Sequence, residues 1–347
     1  MKKSLLVLAA TVLAAGTAAA QSSVTLFGIV DVAARQVKNG SAGSQKQLAS
    51  GAGSTSRFGM RGVEDLGGGL RAGFHLEAGI GVDAGTTDAK FFGRRSTVSL
   101  LGNFGELRLG RDYVPSFWNT TADPFGLVGV GSIGTAFTYG TGANLGSPAT
   151  TVLRADNAIS YLLPTNLGGL YGQATVAAGE GVAGNQYRGA RLGYRAGPVD
   201  VAVSFGSTDT GSTPDFKHSN ILFVYDFGVA KLHTLYDVRK WNPRQEKLVM
   251  VGVSVPVGGL GTVRLSYARA DHSGGAVGSG FGNADDARLM AVAYQYQLSK
   301  RTLLYSTYAR IGNKGARTST VGSTGPLTRM RGGQTSTGLE FGMTHTF

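Results

Sequence analysis

Cysteine is absent from the 347 residues, which removes disulfides, thiolate metal sites and cysteine nucleophiles together. After Gln21 no stretch reaches the roughly 18 consecutive apolar residues of a membrane-spanning helix. Apolar residues nowhere gather at a 3.6-residue period over a helix's length, and 55 glycines are scattered throughout, so long helices are disfavoured as well. Acids are scarce: 21 Asp and Glu face 33 Lys and Arg, a formal net charge of +12. That excess attracts anions of any kind, from nucleic acid to lipopolysaccharide phosphate to small solutes, and only position chooses among them.

What is present begins with a processing signal. Lys2 and Lys3 form a charged start, residues 5–15 a short apolar core, and Ala18, Ala19 and Ala20 the small residues of a cleavage site. Residues 1–20 therefore read as a secretory signal peptide, with a mature chain of 21–347 and a charge excess lowered by the two lysines. Export without an apolar helix leaves a closed barrel as the only way to reside in a membrane, because lipid offers no partner to an unpaired backbone N–H or C=O.

From Gln21 onward, segments of about ten residues alternate with period two, the length a tilted membrane strand requires. Leu339, Phe341, Met343, His345 and Phe347 share one face, and Glu340, Gly342, Thr344 and Thr346 the other. Val199, Val201, Val203 and Phe205 oppose Asp200, Ala202 and Ser204 in the same way. Residues 221–227 and 303–310 are less clean, with apolar side chains on both faces. Short glycine turns at 65–69, 166–169 and 258–261 contrast with long polar connections at 36–53, 206–215, 271–284 and 312–336. Short turns at one rim and long loops at the other predict an all-β, transmembrane antiparallel β-barrel of about sixteen strands with a wet interior. The 112–151 connection stands apart, rich in glycine and in aromatics such as Tyr113, Phe117, Trp118 and Phe137. A loop so long calls for a function, and its aromatics call for a surface, of which the barrel interior is the nearest.

Several blocks carry a resemblance: Ser23-Val24-Thr25-Leu26-Phe27-Gly28-Ile29-Val30-Asp31, Ser56-Arg57-Phe58-Gly59-Met60-Arg61-Gly62-Val63-Glu64-Asp65, Gly102-Asn103-Phe104-Gly105, Leu109-Gly110-Arg111 and the ending Gly342-Met343-Thr344-His345-Thr346-Phe347. In this order and spacing the chain resembles the trimeric general porins of Gram-negative bacteria, betaproteobacterial type, over the whole of 21–347. The resemblance implies a homotrimer of sixteen-stranded barrels in the outer membrane, among lipid and lipopolysaccharide, with the third external loop (112–151) folded inward as a constriction. It implies water-filled channels for passive diffusion of small anionic and neutral solutes. It also implies that Phe347 is the signal read by the barrel-assembly machinery. Arg57, Arg94 or Arg95, and Arg154 match the basic wall cluster of such porins. Strand parity points Arg57 and Arg61 together into the lumen, and it sets Arg94 and Arg95 to opposite faces. Where the family pattern has a glutamate on the inward loop, this chain has Asp123-Pro124-Phe125-Gly126. Asp123 is then the one carboxylate expected near the constriction, so the walls are unbalanced and anion selectivity follows.

Other functions fit less well. A substrate-specific channel is the nearer alternative, through the loop aromatics. A barrel enzyme needs a nucleophile, a base and an orienting acid. The five histidines, His75, His218, His233, His272 and His345, stand in no such motif and have no metal-ligand spacing, so no catalytic, metal or cofactor residue is assigned. Nucleic acid is disfavoured as a partner because the basic residues are dispersed along strands rather than gathered in a stripe.

Overall fold

The computed structural model describes residues 23–139, 142–212, 214–276, 282–283, 285–322 and 330–347. The expected signal peptide, residues 1–20, and the start at Gln21 lie outside them. Sixteen strands follow one another: β1 (Ser23–Asn39), β2 in two pieces (Ser44–Ser50 and Arg57–Gly67), β3 (Leu70–Gly81), β4 (Arg95–Gly102), β5 (Gly105–Tyr113), β6 (Arg154–Leu162), β7 (Leu170–Ala177) and β8 (Tyr187–Ala196). Then come β9 (Val199–Thr208), β10 (Phe216–Asp226), β11 (Lys231–Trp241), β12 (Arg244–Val257), β13 (Gly261–Ser273), β14 (Ala287–Gln297), β15 (Thr302–Asn313) and β16 (Thr335–Thr346). Each pairs antiparallel with its chain neighbours, and β1 pairs with β16 from Ile29↔Thr346 to Asn39↔Ser336. That last ladder closes the sheet and leaves no edge, as hydrocarbon demands.

Closure brings the chain end to the seam. Phe347 and Gly28 exchange backbone hydrogen bonds of 3.0 and 3.1 Å. A Cβ at Gly28 would sit 2.3 Å from the Phe347 ring, so only glycine lets the ring lie flat across β1.

The alternation becomes an outside and an inside. Val24, Leu26, Val203, Phe205, Tyr267, Met290, Phe341 and Met343 are exposed on the outer face, where lipid replaces water. Asp31, Ser204, Asn220 and Glu340 are buried on the inner one.

The 36–53 stretch is not a long loop. β1 continues to Asn39 and pairs with the first piece of β2, from Lys38↔Ser44 to Val32↔Ser50. Val37, Ala33 and Ala49 are buried on the inner face of this hairpin, and the polar residues between them hide its alternation. β2 is then broken at 51–56 around Asp31, whose carboxylate accepts the N–H groups of Gly53 and Ser54 at 2.9 and 3.1 Å and the Tyr305 hydroxyl at 2.9 Å.

The strands with apolar residues on both faces also have a reason. Leu222, Leu235, Leu248, Met250, Leu289 and Ile311 lie on the inner face of β10–β15 and form one buried cluster with Phe125, Val130, Ile133 and Phe137 of the β5–β6 connection. Each such large side chain removed from water contributes about 1.5–3 kcal/mol, which fixes this connection to the wall.

Candidate functional site

Three local irregularities build the site. The break in β2 ends at Arg57, whose Nε donates to the Thr55 carbonyl at 2.9 Å. β5 carries a register shift between Gly110 and Asp112. At Gly110 φ is 121°, and a Cβ would lie 2.2 Å from the Ser96 carbonyl oxygen, so the bulge requires glycine there. Beyond it, Asp112 accepts from Arg108 Nη1 at 2.6 Å and from the Tyr113 N–H at 2.8 Å, which sets the Tyr113 ring. Pro115 then opens the short helix α1 (Pro115–Thr120). Tyr113 stacks on Phe117 with centroids 3.9 Å apart and planes at 6°.

Arg57, Arg94 and Arg154 converge on Tyr113 and Glu77. Arg94 Nε lies 2.5 Å from Glu77 Oε1, and its Nη2 donates to the Tyr113 hydroxyl at 3.1 Å. Arg154 donates to the same hydroxyl at 2.5 Å and to the Arg94 carbonyl at 2.8 Å, with its guanidinium carbon 4.1 Å from the ring centroid. Arg57 reaches Glu77 at 3.6 Å. One carboxylate thus serves two arginines, and the third has a phenol and a carbonyl for partners. Arg57, Glu77, Arg94 and Tyr113 border a cavity of about 430 Å³, with Trp118 and Leu127 of the β5–β6 connection also lining it.

Farther along the same wall the charges balance better. Arg95 lies 3.7 Å from Asp112 and 4.0 Å from Glu106, while Arg108 holds both acids, Glu106 at 2.8 Å and Asp112 at 2.6 Å. Arg111 and Lys90 share Asp156, each at 2.5 Å.

Several expectations change. Arg94 and Arg95 both serve this wall rather than facing apart, because β4 starts at Arg95 and alternation does not govern the residue before it. Arg61 shares the inner face with Arg57 but stays out of the cluster, lying 5.2 Å from the centroid of Phe27. Asp123 does not oppose the arginines. Its oxygens accept the N–H groups of Phe125 and Ile133 at 2.9 and 2.7 Å, so it is a staple within the connection, 3 % exposed. Burial raises its pKa to about 7 despite those two bonds. The acids that do meet the arginines, Glu77, Asp112 and Glu106, are absent from the sequence-based expectation. Glu77 has a readable signal, since it follows His75 by two on β3 and so shares its face. Tyr113 has none, because its direction comes from the bulge.

The 115–139 stretch touches the inner face of strands far apart around the barrel. Asn119 donates to the Ala202 carbonyl at 3.2 Å and accepts from Arg191 at 2.6 Å. The Pro124 carbonyl accepts from Arg264 at 2.7 Å, and the Val130 N–H donates to Glu340 at 2.9 Å.

A family model described as Gram-negative porin matches residues 5–316. The chain belongs to the Gram-negative porins. Outer membrane porin protein 32 of Delftia acidovorans is 38 % identical to it over the full length of both chains. An outer membrane porin protein of Bordetella pertussis is 29 % identical, over 89 % of this chain and 94 % of that one. Among solved structures, the anion-selective porin from Comamonas acidovorans superposes with a TM-score of 0.80 at 36 % identity, covering 94 % of this porin and all of the other. OmpT of Vibrio cholerae, at 16 % identity and a TM-score of 0.65, shares the fold; the match covers 94 % of this porin and 98 % of that chain. As a Gram-negative porin the protein is an outer-membrane barrel that acts as a channel and not as an enzyme.

Proposed function

We propose that this porin passes small hydrophilic solutes by passive diffusion and prefers anions, with the 112–151 connection folded inward as a constriction and Arg57, Arg94 and Arg154 as its cationic wall. The observation that carries this reading is the convergence of three guanidiniums on the Tyr113–Glu77 pair, with Arg94 and Arg154 on the phenol, Arg57 and Arg94 on the carboxylate, and Glu77 as the one carboxylate among them. Guanidiniums stay charged at any physiological pH. Two unit charges about 4 Å apart interact by ~1 kcal/mol in bulk water and by ~4 kcal/mol at an effective dielectric near 20. A passing anion relieves the repulsion among the three, and a cation adds to it. Arg95 and Arg61 flank the wall on the inner face, Arg95 with Asp112 and Glu106 beside it. The contacts of 115–139 with β9, β13 and β16 support a segment that crosses the lumen. The relative described as anion-selective agrees with the sign.

The same reading includes a cleaved leader of residues 1–20, a homotrimer, and Phe347 as the residue recognised during barrel assembly. The deciding experiment is the reversal potential of the purified protein in a planar bilayer under a potassium chloride gradient. A potential of the sign set by chloride is expected, and one set by potassium would sink the proposal.

A further inference from the structure

The cavity at the arginine cluster is lined by two unlike groups: the charged Arg57, Arg94 and Glu77 of the wall, and Phe117, Trp118 and Leu127 of the β5–β6 connection. Packing accounts for most of the aromatics there but not for Trp118. Tyr113 has both faces covered, one by Phe117 at 3.9 Å and the other by the Arg154 guanidinium at 4.1 Å. Phe117 itself is 1 % exposed. Trp118 meets these two rings edge-on, at 66° and 64°, and stays partly exposed between the buried Phe117 and Asn119. Its indole N–H has no hydrogen-bond partner among the described residues. The helix that carries it is pinned, since Asn119 donates to the Ala202 carbonyl at 3.2 Å and the Ser116 carbonyl accepts from Asn220 at 2.9 Å. A tryptophan is thus held in place with its ring open to the cavity. On the charged side Arg57 has N–H groups to spare. Its Nε and Nη2 serve the Thr55 carbonyl at 2.9 Å and the Ser54 hydroxyl at 3.4 Å, while Nη1 lies 3.6 Å from Glu77, too far for a hydrogen bond. The volume of about 430 Å³ suits a small-molecule site, which joins an apolar lining to a few placed polar groups.

We infer, on the basis of the anion-selective reading of this wall, that the cavity prefers aromatic carboxylates among the anions it admits, with the carboxylate on Arg57 and the ring against Trp118. Chloride or acetate can use only the cationic side. A benzoate-like solute uses both, because carboxylate and guanidinium form paired charge-assisted hydrogen bonds and aromatic rings in offset or edge-to-face contact gain more than the area they bury. A saturated ring of the same size buries similar area but lacks the quadrupole that favours those geometries. A channel must also release its solute. One open ring and one partly exposed guanidinium make a weak site, so the preference takes the form of brief occupancy that delays the passage of chloride.

The test is the chloride current of the purified protein in a planar bilayer at about pH 7, where carboxylates are ionised, as benzoate, cyclohexanecarboxylate or acetate is added. Half-reduction of the current by benzoate should need a concentration about tenfold lower than by acetate, through the buried ring. It should need one about threefold lower than by cyclohexanecarboxylate, through the aromatic contact alone. Both ratios are read on the unaltered protein and so do not depend on whether a variant assembles. Trp118→Leu should erase the advantage of benzoate over cyclohexanecarboxylate, and Trp118→Tyr should keep most of it. Equal half-reduction by benzoate and cyclohexanecarboxylate, or an advantage that survives Trp118→Leu, overturns the inference; a reversal potential set by chloride would then leave the anion-selective reading standing. A reversal potential set by potassium overturns both.

Discussion

Arg239 and Arg154 both stand on the inner side of the wall, yet they live in opposite surroundings. Arg239 is completely buried. It pairs with Glu246 at 2.7 Å and Asp237 at 3.3 Å, and it donates to the carbonyls of Phe137 and Ala143 at 2.9 and 3.1 Å. Arg317 holds the other oxygen of Glu246 at 2.6 Å, and His218 lies 2.5 Å from Asp237. Every charge there has its opposite, and the group ties the β5–β6 connection to β11 and β12. Arg154 is partly exposed and has no carboxylate partner among the described residues. The same side chain is thus a structural tie where acids surround it and water is excluded, and a source of field where acids are short and water enters.

The largest effect that would break this contrast is at the tie. Arg239→Ala strands Glu246 and Asp237 with less compensation and leaves two carbonyls unserved. Stability should fall by about 3–5 kcal/mol, read as a lower thermal midpoint of the barrel in detergent. An unchanged midpoint would mean that the tie is dispensable.

Arg57→Ser with Arg154→Ser should do the reverse, sparing the midpoint and lowering the anion-to-cation permeability ratio at least about fivefold, the factor corresponding to ~1 kcal/mol. The reversal potential measures it directly.

Salt should act on the partly exposed Arg57 and Arg154 and not on the tie. Raising ionic strength from about 0.1 to about 1 M shortens the Debye length from about 10 to about 3 Å. Selectivity should therefore decline while the midpoint hardly moves, and a selectivity independent of salt would argue that size rather than charge sets it.

The smallest effect concerns Asp123. Its carboxyl, raised by burial from 3.8 to about 7, holds a proton in the folded protein that the unfolded chain has already released. Stability from this group is therefore complete below about pH 4, falls as pH rises toward 7, and is level above it. A midpoint lower by a few degrees at about pH 8 than at about pH 5, with the slope removed in Asp123→Asn, is the expected outcome. A midpoint that rises over that range would contradict it.

Much of the barrel is legible in the sequence because period-two alternation is a local property. The outward Phe341, Met343 and Val203 and the inward Glu340 and Ser204 follow from position in a strand alone. The site is legible only in part. Arg57 can be placed by parity and matched, with Arg154, to a family pattern. Asp123 goes astray because a carboxylate beside a turn can face a partner across the channel or cap its own backbone, and the sequence is the same in both cases. The polar hairpin 36–53 reads as a loop because its inward alanines and valine are small beside the charged residues between them.

By itself the chain determined which side of each strand meets lipid, the positive excess, and the absence of any thiol or membrane-spanning helix, since these depend on residue type and spacing. Tertiary structure alone decided which acids stand beside which arginines, because that pairing needs the broken β2, the bulge at Gly110 and the Tyr113–Phe117 stack to bring together residues far apart in sequence. Charges act through distance and surrounding water, and neither is set until the barrel has closed and the connection has found its apolar seat.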